Sequence, residues 1–340
     1  MGLDERKFLI LQAIIDDYIT TAMPVGSRTI SRKSGVGFSP ATIRNEMSDL
    51  EELGYLDQPH TSAGRVHSYK AYRLYVDKLM HAQALSDAER QKLFSHMNTR
   101  TRQVETVIRR AARVLSDATQ YTSLVLSPHM ASLHIKHVQI VPVSDGVALL
   151  VIVTSAGIVK DAVIHIPQGL SSDHLYAISR MLTEQLADQP LESVRQIFAE
   201  MIRDMGANRK FLADTMQVIE DRIAAQDQRE VYVGGQANLL NYPEYSDVKK
   251  AQNFLAVLES QDTLRRVLGQ GGDMEIRIRI GPENELDALK DCSILTATYR
   301  MGDNSTGTLG IIGPTRMNYN RVVTVLDFMG RAISQLLSEK

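Results

Sequence analysis

Two sets of β-branched runs, far apart in the chain, constrain the fold more than any other feature. VQIVPV at 138–143, VALLVIV at 147–153 and IVKDAVIHI at 158–166 follow one another with Gly and Asp turns between them, which predicts a strand meander. EIRIRI at 275–280, SILTATYR at 293–300 and GTLGIIG at 307–313 have the same texture. Between the sets, helical pattern covers 172–226 and returns at 242–259, with VYVGGQANLL at 231–240 reading as a strand and turn. Strands split by so much helix predict one αβ domain with another inserted into it. A helix over 318–338 closes the chain.

Everything before the meander is helical in pattern or turn-like. Phe8, Leu11, Ile15 and Tyr18 lie at helical spacing with Ile14 alongside, and Met23-Pro24 ends that segment. Ser27 to Ser34 predicts a short helix stopped by Gly35. Ser39-Pro40 opens the next one, because Ser is a favoured N-cap and Pro is favoured at the first helical position. Thr42 stands where a full capping box would need Glu or Gln, and the helix ends at Gly54. At about 100° per residue, Ile43, Met47, Leu50 and Leu53 share one face. Ala41, Arg44, Asn45 and Ser48 point the other way. Tyr55-Leu56 and Val66 flank a polar loop as two short strands. A helix follows from Ser68 with Tyr72, Tyr75, Val76 and Leu79 as its stripe, and 86–119 is helical and partly linker-like.

The chain has 340 residues, room for two or three domains, and its formal charge is −2. Binding to a nucleic acid therefore has to come from locally organised charge. The single Cys292 excludes an internal disulfide and any cysteine-based metal cluster. The longest apolar run, GVALLVIVTSAGIV at 146–159, is too short to span a bilayer, and MGLDERKFLI lacks the basic start of a signal peptide. A cytoplasmic location is expected.

Charge is segregated near the N-terminus. From Tyr18 to Asn45 there is no acid, while Arg28, Arg32, Lys33 and Arg44 occur. Two short helices joined by a turn, the second with small and polar residues outward, is a helix-turn-helix plan. Arg44 and Asn45 have the chemistry for bidentate bonds to guanine and adenine, Ala41 and the Thr42 methyl suit thymine methyls, and Ser48 extends the same face. Ser39 at the helix start suits a phosphate. The loop DQPHTSAGR would be a wing, with His60, Thr61, Ser62 and Arg65 as donors for a phosphate or a narrow minor groove. The competing reading is a compact domain with a solvated face, and winged helices also serve as protein-interaction modules.

Other clusters carry less. His129, His134 and His137 lack nearby carboxylates and a regular helix, so no metal is expected. The glycines of VGGQAN and GQGGD match neither a P-loop nor a dinucleotide fingerprint and read as turns. GPTRMNY at 313–319 places Arg316 at a turn that either holds an anion or is structural, and Arg109, Arg110 and Arg113 form a basic stripe or a solvated face. No catalytic motif occurs with its required context, so neither an enzyme nor a cofactor is expected.

The chain resembles the heat-inducible transcription repressor HrcA family nearly end to end. The resemblance is carried by VGSRTISRKSG, SPATIRNEMSDLEELGYLDQPHTSAGR and YRLYVD, then by VYVGGQANLLNYPEYSD, DCSILTATYR and GIIGPTRMNY. It implies an α+β multidomain protein: an N-terminal winged helix-turn-helix domain at 1–82, a helical linker at 83–119, a GAF-like α/β domain in two segments at 120–180 and 270–340, and an inserted dimerising domain at 181–269. It also implies a homodimeric repressor of chaperone operons acting on double-stranded DNA at an inverted-repeat operator. Activity would depend on a GroEL-type chaperonin, whose occupation by unfolded protein relieves repression. GAF-like folds often hold ligands, but no polar constellation in 138–166 or 275–313 marks such a site. His67 stands where the family usually has Pro and Ala71 where it has Gly, which predicts a less rigid strand leaving the wing.

Overall fold

The computed structural model describes residues 3–338 except 34, 61–62, 81–83, 98–102, 129–133, 156–158, 168, 190–192, 194–195, 198–208, 225–228, 270–275 and 302–304. The chain opens with helix α1 (Glu5–Thr21), capped by Asp4, whose carboxylate accepts from the Lys7 N–H at 2.8 Å. Its buried side is Ile10, Leu11, Ile14 and Ile15, with Phe8 and Tyr18 only half-buried at the edges. Helices α2 (Ser27–Ser31) and α3 (Pro40–Glu52) follow, then a minimal hairpin of β1 (Leu56–Asp57) and β2 (Val66–His67). Ile30, Ile43, Met47, Leu50 and Leu56 close a small core over α1. Gly54 takes a φ of 74°, the left-handed turn that releases the chain from α3 into β1.

From the hairpin the chain enters α4 (Tyr69–Leu74), which widens into a π turn over Tyr75–Leu79, then α5 (Asp87–Met97) and α6 (Val104–Thr119). Ser68 caps α4 by accepting from the Ala71 N–H at 3.3 Å.

The body contains a five-stranded antiparallel sheet in the order β7-β3-β10-β9-β8: β3 is Thr122–Leu126, β7 Val231–Gly234, β8 Arg277–Ile280, β9 Cys292–Met301 and β10 Ser305–Pro314. Both faces of this sheet are buried, so β3 and most of β10 are covered continuously rather than in alternation, with small Ser, Thr and Gly residues among the apolar ones. On one face Val125, Leu295, Leu309 and Ile311 pack with α6 and the final helix α11 (Tyr319–Ser338). On the other, Leu124, Leu126, Ile294 and Ile312 meet Phe254 and Leu258 of α9 (Val248–Glu259) and Leu264 and Leu268 of α10 (Gln261–Leu268).

A second sheet is separate. Strands β4 (Ile135–Ser144), β5 (Val147–Thr154) and β6 (Val159–His165) form the expected meander, with α7 (Ser172–Leu186) and α8 (Arg209–Ala224) beside it. The strand runs at 138–166 and 275–313 therefore do not share a sheet. The five-stranded sheet is interrupted between β3 and β7, earlier than the expected insertion at 181–269. Its first strand is the short run TSLVL, too brief to stand out beside the longer meander.

Candidate nucleic-acid interface

The arrangement around α3 follows from its two faces. Ile43, Met47 and Leu50 are buried against α1 and α2, which leaves Ala41, Arg44, Asn45 and Ser48 exposed together on the opposite side. Pro40 supplies the first turn and Ser39 the cap, with the Thr42 N–H donating to Ser39 Oγ at 3.1 Å and the two hydroxyls 2.9 Å apart. Ser39 and Thr42 thus bond each other at the helix start. Glu46, on the boundary between the faces, receives the Lys7 ammonium at 2.7 Å and Arg6 at 3.3 Å. That bond, with a second to Asp49 at 3.0 Å, raises the Lys7 pKa and ties α1 to α3. Sequence reading missed Glu46 because its partners lie some forty positions away, beyond any periodic signal.

The expected cations divide into two groups. Arg28, Arg32 and Arg44 are exposed and have no ion-pair partner among the described residues. Lys33 and Arg65 do have one: Lys33 Nζ lies 2.7 Å from Asp17, and Arg65 Nε lies 2.8 Å from Glu51. The Glu51 carboxylate is partly covered by Arg65. Arg65 ties the hairpin to α3 before it can reach outward.

The hairpin is also fastened through its backbone. Val25 and Arg65 exchange two N–H···O bonds of 2.8 Å, so the segment before α2 adds a bridge to the hairpin edge. Gly64 makes this approach possible, since a Cβ there would lie 2.5 Å from the Val25 carbonyl oxygen. His60 is exposed and its carbonyl accepts from Ala63 at 2.9 Å, while Thr61 and Ser62 lie outside the described residues.

His67 is packed between aromatic rings as the strand leaves the hairpin. Its ring stands edge-on to Tyr18 with centroids 4.6 Å apart and lies 3.7 Å from the Tyr72 ring, and Ala71 is fully buried beside them. Neither imidazole nitrogen reaches hydrogen-bonding geometry. Burial, weakly opposed by backbone groups of His67 and Ser68, pushes its pKa down to about 3, so the ring is neutral and packs as an aromatic.

The same aromatic row continues into the body, for Tyr72 meets Tyr319 of α11 at 5.7 Å. Arg316 completes the seam. It forms a bidentate pair with Glu244, lies 5.5 Å from the Tyr242 ring and donates to the Ile19 carbonyl at 3.2 Å. The GPTRMNY turn is thus structural: Arg316 joins the sheet end, the NYPEY segment and α1. Arg73 adds a pair with Glu283 and a 2.7 Å bond to the Ile278 carbonyl, and Tyr75 donates to Asp16 at 2.8 Å. Of the histidines weighed as metal ligands, His129 is outside the described residues, and His137 is exposed on β4 at 3.4 Å from the Thr183 hydroxyl.

Fold and site together define a mixed helix-and-sheet protein in which a three-helix head with one polar helix face is clamped onto a sheet body. Residues 105–323 match the family model described as HrcA protein C terminal domain. The chain is 46% identical over 339 residues to the heat-inducible transcription repressor HrcA of Ruminiclostridium cellulolyticum, covering 98% of this chain and 97% of that one. It is 42% identical to the protein of the same name from Brevibacillus brevis, covering 99% of each. A solved structure described as a hypothetical protein at 2.2 Å resolution is 26% identical, with a TM-score of 0.71 over 99% of both chains. The chain belongs to the HrcA family.

Proposed function

We propose that this chain is a negative transcriptional regulator of heat-shock genes that reads an inverted-repeat operator as a homodimer. The observation that carries the reading is the polar face of α3, where Ala41, Arg44, Asn45 and Ser48 stand exposed while the opposite face is fully docked. Arg44 and Asn45 would meet base edges. Arg28 and Arg32, unpaired among the described residues, would join Ser39 and the loop residues His60, Thr61 and Ser62 at phosphates, with Ala41 and the Thr42 methyl toward thymine methyls. Lys33 and Arg65 are assigned a supporting part, because each is already engaged within the head.

In this reading residues 1–82 are the winged helix-turn-helix domain, 83–119 the linker, and the five-stranded sheet with its helices the GAF-like domain. The inserted dimerising unit is drawn at β4 to α8. Its support is the outer face of the meander, where Val141, Val143, Val159 and Val163 are exposed and Val141, Leu149 and Val163 align across three strands. Dependence on a GroEL-type chaperonin rests on the family relationship alone. A cytoplasmic location follows from the proposed role; no helix among the described residues is long and apolar enough to cross a membrane.

The test is selection of binding sequences from a randomised duplex pool, followed by anisotropy titrations. An inverted repeat should be enriched. Arg44→Ala or Asn45→Ala should cost roughly 1–3 kcal/mol on it and relax preference at one base pair per half-site. Enrichment of nothing above the starting pool, or equal affinity for the repeat and its scramble, would sink the reading.

A further inference from the structure

Helices α5 and α6 and the first turn of α11 border an open cleft of about 860 Å³ that the proposed reading of DNA does not use. Its floor is apolar, made by Leu93, Val114 and Ala118. Its walls carry five basic side chains, Lys92, Arg109, Arg110, Arg113 and Arg321, against two acidic ones, Glu89 and Asp117. This concentration of positive charge sits in a chain whose net charge is −2.

The cations are not equally free. Arg321 is paired with Glu89 at 2.8 Å, and Arg109 lies over the Tyr232 ring at 5.3 Å. Lys92, Arg110 and Arg113 are exposed and have no partner among the described residues. Arg109, Arg110 and Arg113 crowd within little more than one turn of α6, and like charges at such spacings destabilise a helix. An anion placed between them would offset that repulsion. Guanidinium forks suit phosphate oxygens bidentately, and Lys92 from the facing helix supplies a third point of charge.

The volume is that of a small-molecule site. A bare phosphate would leave most of it empty and the apolar floor wet. A DNA duplex lying across the exposed cations would leave the apolar floor uncovered. We infer that the α5–α6 cleft binds a nucleotide carrying at least two phosphates, with the phosphates on Arg110, Arg113 and Lys92 and the base against Leu93 and Val114.

Isothermal titration calorimetry of the full-length protein with magnesium-free ATP, GTP and inorganic pyrophosphate tests this. One nucleotide per chain should bind, at least tenfold more tightly than pyrophosphate. The double variant Arg110→Ala, Arg113→Ala should weaken nucleotide binding at least tenfold, and Lys92→Ala several-fold. Both α6 side chains are exposed, so the core should keep its cooperative unfolding, which circular dichroism checks. A control with the same charge loss elsewhere, Arg180→Ala with Arg331→Ala, should bind as the parent does. The inference is overturned by no saturable heat with ATP or GTP, by equal loss in the control, or by pyrophosphate binding as tightly as the nucleotide. Loss of duplex affinity in the α6 variant with nucleotide binding unchanged overturns it in favour of a DNA contact.

Discussion

At the residue scale, His67 shows how a polar side chain becomes part of an aromatic row. Between Tyr18 and Tyr72 it is held neutral, with a pKa near 3 in place of the usual value of 6.5. A depressed folded-state pKa means that its stabilising contribution is complete above about pH 6.5 and is lost as pH falls toward 3. Denaturant titrations between pH 6.5 and 4 should therefore show the parent losing up to about 1.4 kcal/mol per pH unit more than a His67→Phe variant, which keeps the ring and removes the titration. Equal pH slopes would show that the ring is protonated in place. The identity of this residue was legible in the sequence as a departure from its family. Its burial was not, because the two tyrosines that enclose it come from different helices.

Among the elements, β4 depends most visibly on a neighbour. It is an edge strand, and α7 satisfies it with side chains: Ser179 Oγ accepts from the Ile140 N–H at 2.8 Å, and the Thr183 hydroxyl bonds both the N–H and the carbonyl of Val138 at 3.0 Å. Covering an edge in this way removes a template for pairing with other chains. Ser179→Ala would leave the Ile140 N–H buried without a partner, and should cost about 1–3 kcal/mol in urea unfolding. The outer valines of the same sheet give a second prediction. Val163→Asp puts a charge on the β6 end of the exposed apolar row and should convert a dimer into monomers by light scattering at micromolar concentration, with circular dichroism unchanged. A monomeric parent, or a variant that still dimerises, would remove this face from the proposed interface. The sequence made the three strands of this sheet and the α7 period readable, and the cap at Ser39 as well. It did not distinguish the edge that α7 covers from the face left open.

For the whole molecule, the seam between head and body is what joins the two parts. Arg316 bonds both Glu244 and the carbonyl of Ile19, 297 positions away, and the Tyr72–Tyr319 contact lies in the same region. Arg316→Ala removes the charge pair and the α1 contact together and should destabilise the protein by about 1–3 kcal/mol, read as a lower unfolding midpoint. If the head then unfolds separately, differential scanning calorimetry should resolve two transitions where the parent has one; an unchanged single transition would mean that the seam is held elsewhere. By itself the sequence determined the helices of the head, the polar face of α3, the strand runs and membership of the family, because each is a local pattern written in periodicity, caps and contiguous motifs. Tertiary structure alone decided that the meander forms its own sheet, that Lys33 and Arg65 are tied down while Arg28, Arg32 and Arg44 have no ion-pair partner among the described residues, and that His67 belongs to the seam. Those outcomes depend on which surfaces meet across large sequence separations, and periodicity identifies the side of an element that is buried without identifying what it is buried against.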